Sequence, residues 1–170
     1  LPQYPRLYDR LTLCGWLHDS GKLSAAFQRG LRQPKQRWGL RHEALSLAFV
    51  DWLDLDATDR PWILAAVATH HRDIAYMLET YRDAARAQVL IETLDERTTR
   101  AWYTWLIEQG VPLQPFTLPQ PESIVRAIRD LDQWWQEYEL RGFDHPDMIP
   151  IALLRGLMLL ADHSAAAVSQ

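Results

Sequence analysis

Cysteine, glycine and long apolar runs are what this chain has least of. A single cysteine, Cys14, among 170 residues excludes an internal disulfide and suits a reducing cytoplasm. Seven glycines and the lack of alternating apolar and polar runs argue against a sheet of short strands and for helices. No stretch of about 18 uninterrupted apolar residues exists, so no segment reads as a membrane span. No secretory signal is visible, and because the chain opens on Leu1 rather than Met, residues are expected upstream. Internal repeats and low-complexity segments are missing. So is the Gly-rich phosphate loop of a helicase, and ATP-driven unwinding would have to come from another domain or subunit. What is present is a composition 48% hydrophobic with eight tryptophans. That suffices for one domain, 1–170, with a sizeable core.

The net charge of −4 looks wrong for a protein that meets a polyanion until its distribution is read. Between Ser20 and His42 every charged residue is basic: Lys22, Arg29, Arg32, Lys35, Arg37 and Arg41. That stretch carries +6, which leaves −10 for the rest of a chain totalling −4. Local sign governs attraction of a phosphate backbone more than the total does. Taken alone such a run is a solvated loop; flanked by metal-ligand candidates it reads as a guide for phosphates.

Apolar spacing is helical throughout, and the expected fold class is all-α. Leu11, Cys14 and His18 lie at i, i+3 and i+7, which puts His18 on the inward stripe of a first helix. Ser20-Gly21 would end that helix on a residue suited to left-handed geometry. A short helix from Lys22 to Arg29 stopping at Gly30 should follow, then a basic loop through Pro34 to Gly39. Another helix starts near His42, with Leu45, Ala48, Phe49, Trp52 and Leu53 inward. Asp59 or Thr58 can cap a helix with Pro61 in its first turn, on which Ile63, Ala66, Val67 and His70 share a face. Ile74, Met77, Leu78 and Tyr81 resume helical spacing, which extends to Gly110. A loop with Pro112, Pro115, Pro119 and Pro121 precedes a long amphipathic helix marked by Ile124, Ile128, Leu131, Trp135 and Tyr138. The last helix, after Pro146, carries Ile151, Leu154, Met158 and Asp162 on one stripe.

Along these elements four of the six histidines fall into an ordered set with two aspartates: His18, Asp19, His42, His70, His71 and Asp162. Neighbours on a helix point about 100° apart, so an adjacent His-Asp pair can address two ions. A carboxylate extending an apolar stripe, as Asp162 does, is expensive to bury without a cation. Singly each residue is weak evidence, since an inward histidine is more often a hydrogen-bonded core residue. The ordered set, each member at a helix end or on an inward face, is what points to a metal centre. His145 and His163 fall outside it.

The segment His18-Asp19-Ser20-Gly21-Lys22 with Phe27-Gln28 resembles the HD-x-GK…FQ signature of the CRISPR-associated HD nuclease, the nuclease domain of the type I interference helicase-nuclease. The resemblance continues through Arg41-His42-Glu43, Thr69-His70-His71 and Gly156-Leu157 to Ala161-Asp162, in order and over nearly the whole chain. It implies an HD-domain helical bundle, with the six residues above as ligands and Asp19 bridging two metals. It also implies that Lys22 contacts a phosphate and that the activity is cutting of single-stranded DNA after an RNA-guided surveillance complex has opened the target. The family adds a metal-binding histidine from a helix before the His-Asp pair. None precedes His18 here, which agrees with residues missing upstream.

Hydrolysis of a phosphodiester by two divalent ions is the chemistry such a set serves. Histidine-rich coordination favours Mn, Fe, Co or Ni; Mg prefers an all-oxygen shell, and Zn is not distinguished by ligand type. Phe27 and Trp38 could offer stacking surfaces to a flexible strand, although Trp38 could equally fix the loop. Two other readings share these residues. An HD phosphohydrolase acting on nucleotides or small phosphate esters would have little use for so long a basic track. An inactive, metal-bound module docking a helicase through exposed tryptophans would rest only on the absent upstream histidine.

Overall fold

A computed structural model describes residues 4–33, 38–141 and 148–168. Among them are nine α-helices: α1 Leu7–Leu17, α2 Ala25–Arg32, α3 His42–Ser46, α4 Arg60–Thr69, α5 Ile74–Tyr81, α6 Ala84–Ile91, α7 Glu96–Glu108, α8 Pro121–Arg141 and α9 Met148–Val168. Short 3-10 segments at Ser20–Leu23 and Leu47–Trp52 complete the regular structure. No strand forms among the described residues; one isolated antiparallel bridge joins Leu53 to Leu113. The protein is an all-α bundle among its described residues, as its helical spacing predicts.

The bundle is organised around α4. Every residue from Trp62 to Thr69 is buried, which a helix achieves only when covered on all sides. Helices α1, α3, α5, α8 and α9 supply that cover. Polar caps start the outer helices: the side chains of Ser24, Asp73, Asp83 and Asp95 accept backbone N–H groups at the heads of α2, α5, α6 and α7. Each such cap satisfies a donor the helix cannot and contributes about 1 kcal/mol. Gly110, at φ 76°, ends α7 in the left-handed conformation, which costs glycine little.

Several elements differ from the sequence expectation for identifiable reasons. Gly30 does not stop α2, which runs on to Arg32, and Lys22 belongs to the preceding 3-10 turn rather than to this helix. The helix expected from His42 onward tightens into 3-10 geometry at Leu47, although its residues are buried as expected. Asp59 heads α4 but caps nothing; its carboxylate is taken by Arg6 and by Arg10 Nε at 2.9 Å. Pro121 lies inside α8 as its first residue, where its missing N–H costs nothing. Gly21 is not left-handed. A Cβ there would sit 2.1 Å from the carbonyl oxygen of His42, so glycine is required for close approach between the Ser20–Leu23 turn and α3. Trp134 and Trp135 both stack with Tyr138, centroids 5.0 and 5.4 Å apart, and lie half-buried against the core.

Candidate metal centre

All six expected ligands meet at one place. His18 is the C-cap of α1 and Asp19 follows it. His42 opens α3, His70 caps α4 with His71 next in the chain, and Asp162 comes from α9. Their ligand atoms form two sets, His42 with His70 and His71, and His18 with Asp19 and Asp162, the atoms within each set lying within 4.8 Å of one another. Asp19 stands between the sets: Oδ2 is 3.3 Å from His18 Nε2 and Oδ1 is 3.3 Å from His42 Nε2. Asp162 also reaches both, with Oδ1 3.6 Å from His18 Nε2 and Oδ2 3.6 Å from His71 Nε2.

The protonation pattern follows from the outer nitrogens. His18 Nδ1 donates to the Gly15 carbonyl at 2.9 Å, and His70 Nδ1 to the Val67 carbonyl at 2.7 Å. A carbonyl only accepts, so Nδ1 holds the proton in both and Nε2 presents a lone pair inward. His42 Nδ1 faces Glu43 Oε2 at 3.3 Å, which favours the same tautomer. In that state His42 Nε2 and His70 Nε2, 3.2 Å apart, point two lone pairs at one spot, and a cation is what satisfies them. His18 Nε2 and Asp19 Oδ1 are buried without a hydrogen-bond partner, the second sign that the donor set fits metal ions.

Charge agrees with that reading. Burial pulls the His18 imidazole down, but the carboxylates of Asp19 and Asp162 outweigh it and leave His18 above its ordinary value, as a position that attracts positive charge should. Burial raises Asp19, yet His18, His42 and Lys22 together hold it well below the usual carboxylate range. His70 falls to about 4, chiefly through burial and also through its histidine neighbours. It is therefore neutral and able to ligate at neutral pH.

Further residues support the ligands. Lys22 Nζ lies 2.7 Å from Asp19 Oδ2. Ser46, fully buried on α3, accepts from Gly21 N–H at 2.8 Å and donates to the His18 carbonyl at 2.7 Å, which locks the His-Asp turn to α3. Glu43 is fully buried and paired with Arg41; its carboxyl stays below the ordinary range because that pairing and His42 overcome burial. The roles of Glu43 and Ser46 were not visible in the sequence, although the charge pair flanking His42 in Arg41-His42-Glu43 was a signal for the first.

The basic stretch divides. Arg29 and Arg32 are exposed at the end of α2, Lys22 points at the centre, and Lys35 and Arg37 lie outside the described residues. Arg41 does not join them as a free cation: its side chain holds Glu43, and its backbone N–H donates to Tyr81 Oη at 2.8 Å. Phe27 packs edge-on to Trp38 and to His42 at 5.7 and 5.5 Å, and Trp38 lies half-buried against the core. His163 is exposed, and His145 lies outside the described residues.

Two comparisons with known proteins return a match. The family model described as Cas3, HD domain, matches residues 4–165. A putative CRISPR-associated nuclease/helicase Cas3 of Myxococcus xanthus (strain DK1622) is 29% identical over 96% of this chain and 24% of its own length. The chain thus spans about a quarter of the curated relative it matches. No solved structure matches it.

Proposed function

Because the chain belongs to the Cas3 HD-domain family, we propose that it is a metal-dependent nuclease that hydrolyses single-stranded DNA in type I CRISPR interference, an antiviral defence. The observation that carries this reading is the convergence of imidazole lone pairs and two carboxylates into adjoining sets. In it His42, His70 and His71 would hold one divalent ion, and His18, Asp19 and Asp162 the other. When bound, such ions supply the Lewis acidity that phosphodiester hydrolysis requires. Imidazole-rich coordination favours Mn, Fe, Co or Ni over Mg or Zn.

The chain's own groups do the rest. Lys22, at the edge of Asp19, holds a phosphate oxygen as a point charge. Arg29 and Arg32 draw the backbone toward it, with the basic Lys35 and Arg37 following them in the sequence. A flexible single strand reaches a centre set among helices more readily than a duplex does. The relative is named as a nuclease/helicase, and we take residues 1–170 to be the nuclease domain that works beside such a helicase, fused or separate. It would act in the cytoplasm, on DNA opened by an RNA-guided surveillance complex.

Labelled single-stranded DNA incubated with the purified chain and Mn²⁺, Ni²⁺, Mg²⁺ or EDTA tests the reading. Loss of the strand with Mn²⁺ or Ni²⁺, abolished by EDTA and by Asp19→Ala, is expected, with free nucleotides left intact. An intact strand alongside hydrolysed nucleotides would replace the nuclease by a small-molecule phosphohydrolase.

A further inference from the structure

Beside Asp19 lies a cavity of about 350 Å³ whose lining includes Trp16, Asp19, Lys22, Gln28, Trp102 and Trp105 and none of the ligand histidines. Trp102 and Trp105 sit three residues apart on α7, on one face of the helix, and their rings stack at 4.7 Å and 17°. Trp16 of α1 meets Trp105 edge-on at 5.2 Å. The indole N–H of Trp102 donates to Ser20 Oγ at 3.0 Å, so the aromatic wall is tied to the residue that follows Asp19. Trp105 nevertheless leaves 37% of its surface exposed.

We propose that this cavity is a nucleobase-stacking subsite, which seats a base next to the phosphate held at the metal centre. The inference rests on the nuclease reading, because Asp19 and Lys22 belong to the cavity and to the centre alike. An occupant there must present an anion to Lys22 and, beside it, a flat apolar group to the tryptophans. A nucleotide within a strand has that shape. Stacking on an indole face accepts any base, so the subsite fixes the strand's position without selecting its sequence. Preordering of Trp102 by Ser20 lowers the entropy lost on binding. The proposed stacking surface is the wall of Trp16, Trp102 and Trp105, which lines the same cavity as Asp19 and Lys22.

Fluorescence anisotropy in EDTA, with labelled oligothymidylate and an abasic strand of equal length, separates stacking from charge. Wild-type protein should bind the base-bearing strand roughly tenfold more tightly, as one stacked base gives. Trp105→Ala should remove that margin and leave the abasic strand unaffected, while Trp105→Phe should retain most of it. Thermal melts followed by circular dichroism confirm that both variants fold. Equal affinity of the wild type for the two strands, or an equal loss on both in Trp105→Ala, overturns the subsite. So does an unchanged affinity in Trp105→Ala, which would leave the wall to a protein partner. Cleavage with Mn²⁺ is followed in parallel so that the two readings fail separately. Cleavage without base-dependent binding overturns the subsite alone. Base-dependent binding through Trp105 without cleavage keeps the subsite and overturns the nuclease.

Discussion

Glu43 Oε2 lies 3.3 Å from His42 Nδ1 without a hydrogen bond between them. Its charge favours a proton on Nδ1, the state that the hydrogen-bonded carbonyls of Gly15 and Val67 fix in His18 and His70. Such outer partners orient a ligating imidazole and raise its basicity. Glu43→Gln should therefore weaken Mn²⁺ binding by roughly 10- to 100-fold, measured by isothermal titration, with His18 and His70 still in place; unchanged affinity would reduce Glu43 to a partner of Arg41. A second residue-scale prediction concerns Cys14. Burial pushes its thiol from 9.0 up to about 12, with only partial relief from Arg10, and burial likewise raises Tyr81 from 10.0 to about 12. The folded chain keeps these protons where the unfolded chain releases them. Stability should thus hold below the cysteine's ordinary value and decline as pH rises from 9.0 toward about 12. Melting temperatures of wild type and Cys14→Ala across that window check this, and the variant should show the shallower decline. Parallel curves would mean that Cys14 does not contribute.

At the scale of elements the centre depends on how closely the Ser20–Leu23 turn approaches α3. The absence of a side chain at Gly21 lets the turn pass the His42 carbonyl, and Ser46 ties its backbone to that of His18. Gly21→Ala must push the two apart and should cost about 3 kcal/mol, the upper part of the range for overpacking. Urea denaturation would show the loss, and Mn²⁺ affinity should fall with it; a stable, metal-binding variant would mean that the turn has room to shift. Ser46→Ala leaves a buried N–H without a partner and should cost about 1–3 kcal/mol by the same measurement. The helical periodicity of Leu11, Cys14 and His18 made α1 legible. The geometry of the turn was not, because a glycine needed for close approach and one needed for left-handed backbone are the same letter. Likewise Asp59 precedes Arg60-Pro61 as a cap would, but two arginines from the N-terminal segment and α1 claim its carboxylate. That competition is decided by contacts 49 residues apart.

For the whole molecule, ligands arrive from α1 and the turn after it, from α3, from the end of α4 and from α9. Metal bound there would add a link between elements that already meet through apolar faces and through bonds such as Ser46 to the His18 carbonyl and Arg155 Nε to the Thr69 carbonyl. An ion at about 100 times its dissociation constant stabilises a folded state by roughly 2.7 kcal/mol. For a chain of this size each kcal/mol is worth about 2–4 °C, so Mn²⁺ should raise the melting temperature by roughly 5–10 °C over EDTA. Asp19→Ala should lose most of that shift; an equal shift in the variant would place the metal elsewhere. None of the helices is long and apolar enough to cross a membrane among the described residues. With α4 enclosed on all sides, His70 at its end is held by packing as well as by its hydrogen bond to the Val67 carbonyl, while His71 is exposed.

The sequence by itself determined the all-α class, the helices with strong 3.6-residue periodicity and the identity of the six residues that converge. Those depend on local spacing and on residue chemistry, which a chain carries without reference to its fold. Only the tertiary structure decided how the six divide into two sets, which imidazole nitrogen faces inward and that Arg41 serves Glu43 instead of solvent. It also decided that the open aromatic wall is Trp16 with Trp102 and Trp105. The two sets and the aromatic wall join elements far apart in the chain, and no local pattern encodes the distance at which two such elements come to rest. The Nδ1 contacts of His18 and His70 and the Arg41–Glu43 pair are close in sequence, but which way each side chain turns depends on what packs against it.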